Sequence, residues 1–86
     1  MKLNVYNKGT RNVNKGGEKM LAPEVIAEKL RTLRGDTPRE TVCNDTGISY
    51  SALSMYENGE RIPRDEIKVA LARRYNTTVG ALFYGE

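Results

Sequence analysis

The stretch RETVCNDTGISYSALSMYEN, residues 39–58, decides how the rest of the chain is read. With Arg39 as the first position, Val42 is fourth, Cys43 fifth, Gly47 ninth, Ile48 tenth, Leu53 fifteenth and Tyr56 eighteenth. Two short helices meeting at a fixed angle across a tight turn need those residue types at those places. The fifth position abuts the second helix and must be small, and a cysteine behaves as a small apolar residue. The ninth takes a positive φ, which glycine adopts without strain. The other four supply the apolar contacts that hold the two helices at their mutual angle. One match alone is weak, whereas all six together are specific. The plainer reading is an ordinary helical hairpin with similar packing.

Working outward, helix signals alternate with turns. A helix over about 23–34 starts at Pro23, whose missing N–H costs nothing in a first turn, and carries an apolar stripe of Ile26, Leu30 and Leu33 before Gly35 stops it. Thr37, Pro38 and Glu40 read as a capping box opening the second helix, with Gly47 as its left-handed terminator. Ser49 caps a third helix from Tyr50 to about Asn58, ended by Gly59. Pro63 and Asp65 open a fourth, with Ile67, Ala70 and Leu71 facing inward and Asn76 ending it. Thr78 caps a short fifth helix bearing Val79, Leu82 and Phe83. Strand alternation and internal repeats are absent. The fold class is therefore all-α, five short helices in one compact domain over residues 20–86.

Residues 1–19 differ in kind, being rich in Asn, Lys and Gly without helical or strand period. They read as a flexible, disordered basic tail. Lys2, Lys8, Arg11, Lys15 and Lys19 face only Glu18 there, leaving residues 20–86 with nine basic and ten acidic groups. The overall charge of +3 thus belongs to the tail, and any anion-facing surface on the domain depends on clustering. The hexapeptide Lys15–Met20 can be encoded by AAA GGA GGT GAA AAA ATG, which contains AAGGAGGTGA, a purine-rich bacterial ribosome-binding sequence just ahead of an ATG. The expectation is that native translation starts at Met20. A basic arm touching DNA backbone and a linker without a role are the alternatives.

Composition excludes several classes. The chain has no histidine, removing the commonest general base and metal ligand, and its one cysteine forms no internal disulfide. No enzyme activity, metal or cofactor is expected. A lone thiol, the lack of a long apolar run and the lack of an apolar stretch behind the N-terminal lysines suit a cytoplasmic protein with no membrane contact.

The segment TPRETVCNDTGISYSALSMYENGERIP, residues 37–63, resembles the Cro/lambda-repressor helix-turn-helix type, also called the XRE family. The portion of the form SxxSxYENGxRxP carries most of the likeness, and the flanks LRTLRGDTPRE and PRDEIKVALARRYNTTVGALFYGE are similar to its members, so the resemblance spans roughly residues 23–86. It implies a lambda-repressor-like domain of a bacterial or phage transcriptional regulator, most simply a repressor. Such a protein binds operator DNA, usually as a homodimer, with its third helix in the major groove. Two departures stand out: Arg39 where the family usually has Gln, and Thr46 where it usually has an aliphatic residue.

At about 100° per residue, Leu53 and Tyr56 share one face of the third helix, Ser51, Ser54, Met55 and Asn58 point the other way, and Tyr50 and Glu57 lie on the flanks. Tyr50, Ser51, Ser54 and Met55 match the family's base-contacting positions. Serine donates or accepts, and Met and the Tyr ring suit a thymine methyl. The plainer reading is a solvated face. Arg39, Asn58, the Gly59 N–H, Arg61 and Arg64 are the candidate phosphate contacts, against a plain role in solubility. Arg73 and Arg74 read as surface. By resemblance, Glu57 pairs with Arg34 of the first helix, a structural tie. Val42, Cys43, Gly47, Ile48, Leu53 and Tyr56 are structural as argued above. The segment Ala81–Tyr84 is the expected dimer surface, one of its two aromatics covering the core and the other a partner. The alternative function is the antitoxin of a toxin–antitoxin pair, which also holds a partner protein.

Overall fold

In the computed structural model, which describes residues 19–86, five helices follow one another: α1 Pro23–Arg34, α2 Arg39–Thr46, α3 Tyr50–Glu57, α4 Asp65–Arg74 and α5 Val79–Phe83. The described residues form no strand. The features assigned to residues 1–18 lie outside the described residues. Pro23 opens α1 at its first turn, and Gly35 closes it at φ 55°. Ser49 caps α3 by accepting from Ala52 N at 3.2 Å, and Thr78 caps α5 by accepting from Ala81 N at 3.0 Å. Each satisfies an amide that the helix leaves unpaired.

The core gathers Ile26 and Leu30 from α1, Val42 from α2, Ile48 from the turn, Leu53 and Tyr56 from α3, Leu71 from α4, and Leu82 and Phe83 from α5. α1 packs on α3 and α5, α2 on α3 and α4, and α4 on α5. Thus α2 and α3 are each braced from behind. α5 is fastened by backbone and side chain alike: Leu21 N donates to Phe83 O at 2.8 Å, and Lys29 Nζ donates to Ala81 O at 2.7 Å.

Two local expectations are corrected and a third is extended. The capping box at Thr37 does not form. Pro38 itself is the N-cap, with ψ 145° and no side-chain cap bond, while the Thr37 carbonyl is taken by Arg34 Nη1 at 2.9 Å. Pro38 keeps extended backbone and its carbonyl accepts the first intrahelical bonds, from Thr41 N and Val42 N, so the helix starts one residue later than the motif suggests. Leu33 is 43% exposed, lining a groove together with Thr77 and Ala81, and Ala27 takes its place in the buried stripe. On α4 Leu71 is buried and Ile67 is half-buried against the core as expected, Ala70 is half-buried, and Lys68 and Ala72 are buried as well. Lys68 enters the core by its aliphatic stem. Its ammonium reaches the Tyr84 hydroxyl at 3.3 Å and lies 5.4 Å and 5.8 Å from the Tyr84 and Phe83 ring centres.

Candidate nucleic-acid interface

The turn between α2 and α3 sets the geometry of the site. Gly47 sits at φ 79° with its N–H on Cys43 O at 2.8 Å, closing α2 with a left-handed residue. Thr46, the departure noted above, contributes a hydroxyl where an aliphatic residue is usual. Its Oγ1 donates to Val42 O at 2.7 Å and accepts from Ile48 N at 3.3 Å, tying the end of α2 to the turn. Val42 and Leu53 are fully buried and Ile48 nearly so, so the two helices are locked through the core. Cys43 is half-buried, and burial pushes its thiol up, with Glu57 adding to the effect, so it stays protonated at neutral pH.

With one side of α3 fixed inward, the other side is open. Tyr50 is 52% exposed and Ser51 is exposed at the start of the helix, while Ser54 and Met55 are half-buried further along. Asn58, Arg61 and Arg64 are exposed after α3. Arg61 has no ion-pair partner among the described residues, and Arg64 has only a loose one, Glu66 at 3.6 Å. Gly59, at φ 75°, turns the chain beneath Pro23, and its N–H lies 3.3 Å from Tyr56 O. That long contact is weak. Arg74 donates to Asp45 at 2.8 Å, linking α4 to α2.

Glu57 is not on a flank. It is fully buried, and three arginines converge on it. Arg34 makes a fork, Nε to Oε2 at 2.8 Å and Nη2 to Oε1 at 3.0 Å. Arg39 donates Nε to Oε1 at 2.8 Å. Arg31 donates Nη1 to the Glu57 backbone carbonyl. A buried carboxylate survives only when paired and hydrogen-bonded, and here it is both. The Tyr50 phenol, chiefly, and then Glu57 raise the Arg39 pKa further, so this guanidinium is charged at any working pH and lies against the first residue of α3. Sequence reasoning did not single out Arg31. Its one signal was the three-residue spacing to Arg34, which puts both on one side of α1.

A family model described as helix-turn-helix matches residues 28–82, most of the chain, and includes α2, the turn and α3. The chain belongs to the Cro/C1-type helix-turn-helix domain of the XRE family. It is a DNA-binding transcription regulator whose partner is double-stranded DNA, in a family that is not typically enzymatic. None of the curated proteins compared with the chain matches it. Among the described residues no helix is long and apolar enough to cross a membrane.

Proposed function

We propose that the chain is a sequence-specific repressor that lays α3 in the major groove and occupies its site as a homodimer. The observation that carries this is the two-sidedness of α3. Leu53, Tyr56 and Glu57 are buried against the domain, while Tyr50 and Ser51 stand exposed at the leading end of the helix, where a groove is entered. Tyr50, Ser51, Ser54 and Met55 read base edges by hydroxyl contacts and by apolar contact with thymine methyls. Arg39, Asn58, the Gly59 amide, Arg61 and Arg64 hold phosphates on either side of the groove. Repression follows by occlusion of a promoter.

A homodimer doubles the length of sequence read, which one small domain needs for tight selectivity. In Ala81–Tyr84, Leu82 and Phe83 are spent on the core, while Ala81 and Tyr84 stay partly exposed. Beside them runs a shallow groove between α1 and α5, lined in part by Val25, Leu33 and Ala81 and by no residue of α2 or α3. A partner docked there leaves α3 free for DNA. Selection of bound duplexes from a random pool tests the reading: a recurring two-fold symmetric site is the expected result. A pool without enrichment contradicts sequence-specific binding, and enrichment of a single half-site with one protein bound contradicts the dimer.

A further inference from the structure

The three arginines around Glu57 carry more positive charge and more donors than the carboxylate uses. Arg34 spends an N–H from each of its three nitrogens, two on Glu57 and one on Thr37 O, and its side chain is only 16% exposed. It is a tether. Arg39 and Arg31 differ. Arg39 gives one N–H to Glu57 and also faces the Tyr50 phenol, and its side chain is 29% exposed. Arg31 gives one N–H to the Glu57 carbonyl and is exposed. A guanidinium has five N–H donors in a fixed fork, so most of those on Arg31 are unspent. No other carboxylate pairs with any of the three arginines among the described residues. The cluster therefore holds three positive charges against one negative.

The position of this surplus is defined by backbone. The Glu57 carbonyl lies at the C-terminal end of α3, next to Asn58, and Arg39 is the first residue of α2. Arg31 and Arg39 are thus held by opposite ends of one residue, its carbonyl and its carboxylate. Because that residue is fully buried and hydrogen-bonded, each fork is already held at one donor and less side-chain freedom remains to be lost on binding.

We infer that Arg31 of α1 is a phosphate ligand, forming with Arg39 a two-arginine clamp on one stretch of DNA backbone that Glu57 positions from beneath. The inference rests on the DNA-binding reading above but not on which bases α3 recognises, so a duplex of random sequence tests it. Each phosphate neutralised contributes about −0.9 to the slope of log K against log salt on duplex DNA. Arg31→Gln in the full chain is expected to make the slope shallower by about one relative to wild type. Arg73→Gln removes the same charge from the exposed face of α4 and is expected to change it much less. Arg31→Lys keeps the charge and is expected to recover most of the slope. In wild-type protein, the Arg31 side-chain N–H resonance should shift on titration with the same duplex, a readout that needs no variant to fold. An Arg31→Gln slope equal to that of Arg73→Gln, or an unmoved Arg31 resonance in the bound protein, overturns the clamp. If sequence enrichment persists in that case, the recognition-helix reading stands without it. If enrichment is absent while the slope effect is present, only the recognition-helix reading falls.

Discussion

Removing Arg34 tests whether the buried carboxylate organises the domain. Arg34→Ala deletes the fork on Glu57 and the bond to the Thr37 carbonyl, and so releases both the end of α3 and the segment leading into α2. Glu57 has no exposed side-chain surface and Arg34 only 16%, so solvent screens this pair poorly. Breaking a buried ion pair by taking one partner costs about 3–5 kcal/mol. Arg39 stays on Oε1, so the carboxylate is not fully orphaned, and the lower end, about 3 kcal/mol, applies. For a domain this small, with total stability of about 5 kcal/mol, most of the margin goes. At roughly 4–8 °C per kcal/mol the midpoint falls by about 12–24 °C. Arg74 supplies the comparison. Its contact with Asp45 is also 2.8 Å long, but the side chains are 29% and 49% exposed, so Arg74→Ala is worth less than about 1 kcal/mol. Urea unfolding followed by far-ultraviolet circular dichroism measures both. Exchanging both members, Arg34→Met with Glu57→Met, should cost less than Arg34→Met alone, because no fully buried charge is then left short of a partner and Arg39, 29% exposed, can be hydrated. Equal losses for Arg34→Ala and Arg74→Ala would refute the argument from burial.

Three further outcomes follow from local chemistry. The Tyr75 hydroxyl is buried without a hydrogen-bond partner, so Tyr75→Phe should leave stability unchanged or raise it by about 1 kcal/mol, and a loss above that in urea unfolding counts against the assignment. Burial raises the Cys43 thiol pKa, so the folded form binds this proton more tightly than the unfolded form does. The contribution is fully present below the unfolded thiol value, about 8.5, and is lost as pH rises through the folded one. The urea midpoint of wild type should therefore fall more steeply than that of Cys43→Ala in alkaline buffer, and parallel curves would contradict this. Reading Lys15–Met20 as a translated ribosome-binding sequence requires the protein in its native host to begin at Met20. Mass spectrometry of its N-terminal peptide checks this, and any peptide ending before Met20 overturns it.

The parts of the fold visible in the sequence are those set by neighbours in the chain. Gly47, Ser49 and Thr78 act within a few residues of themselves, and the glycine, serine and threonine chemistry names their roles directly. The capping box failed for an equally local reason: Pro38 keeps extended backbone and occupies the cap itself, which leaves Thr37 one residue too early. The resemblance pointed to the Glu57–Arg34 pair, but the full burial of Glu57 and of Lys68 was hidden from periodicity because it depends on partners from distant helices. A glutamate beside the apolar face of α3 looks solvated until Arg34 and Arg39 arrive from α1 and α2. A lysine on α4 looks exposed until Tyr84 and Phe83 close over its stem. Arg31 was missed for the same reason, since its partner is a backbone carbonyl and no side-chain pattern marks one.

The central claim, that α3 reads the bases, is tested most directly by exchanging Tyr50, Ser51 and Met55 together and repeating the selection of bound duplexes from a random pool. Tyr50 and Ser51 are exposed and Met55 is half-buried, none of them in the buried core, so the exchanged protein is expected to fold, as circular dichroism will show. The expected result is a new preferred sequence, changed at the positions beneath the exchanged side chains, with the symmetry and spacing of the half-sites retained. Recovery of the wild-type sequence by the folded variant would contradict it.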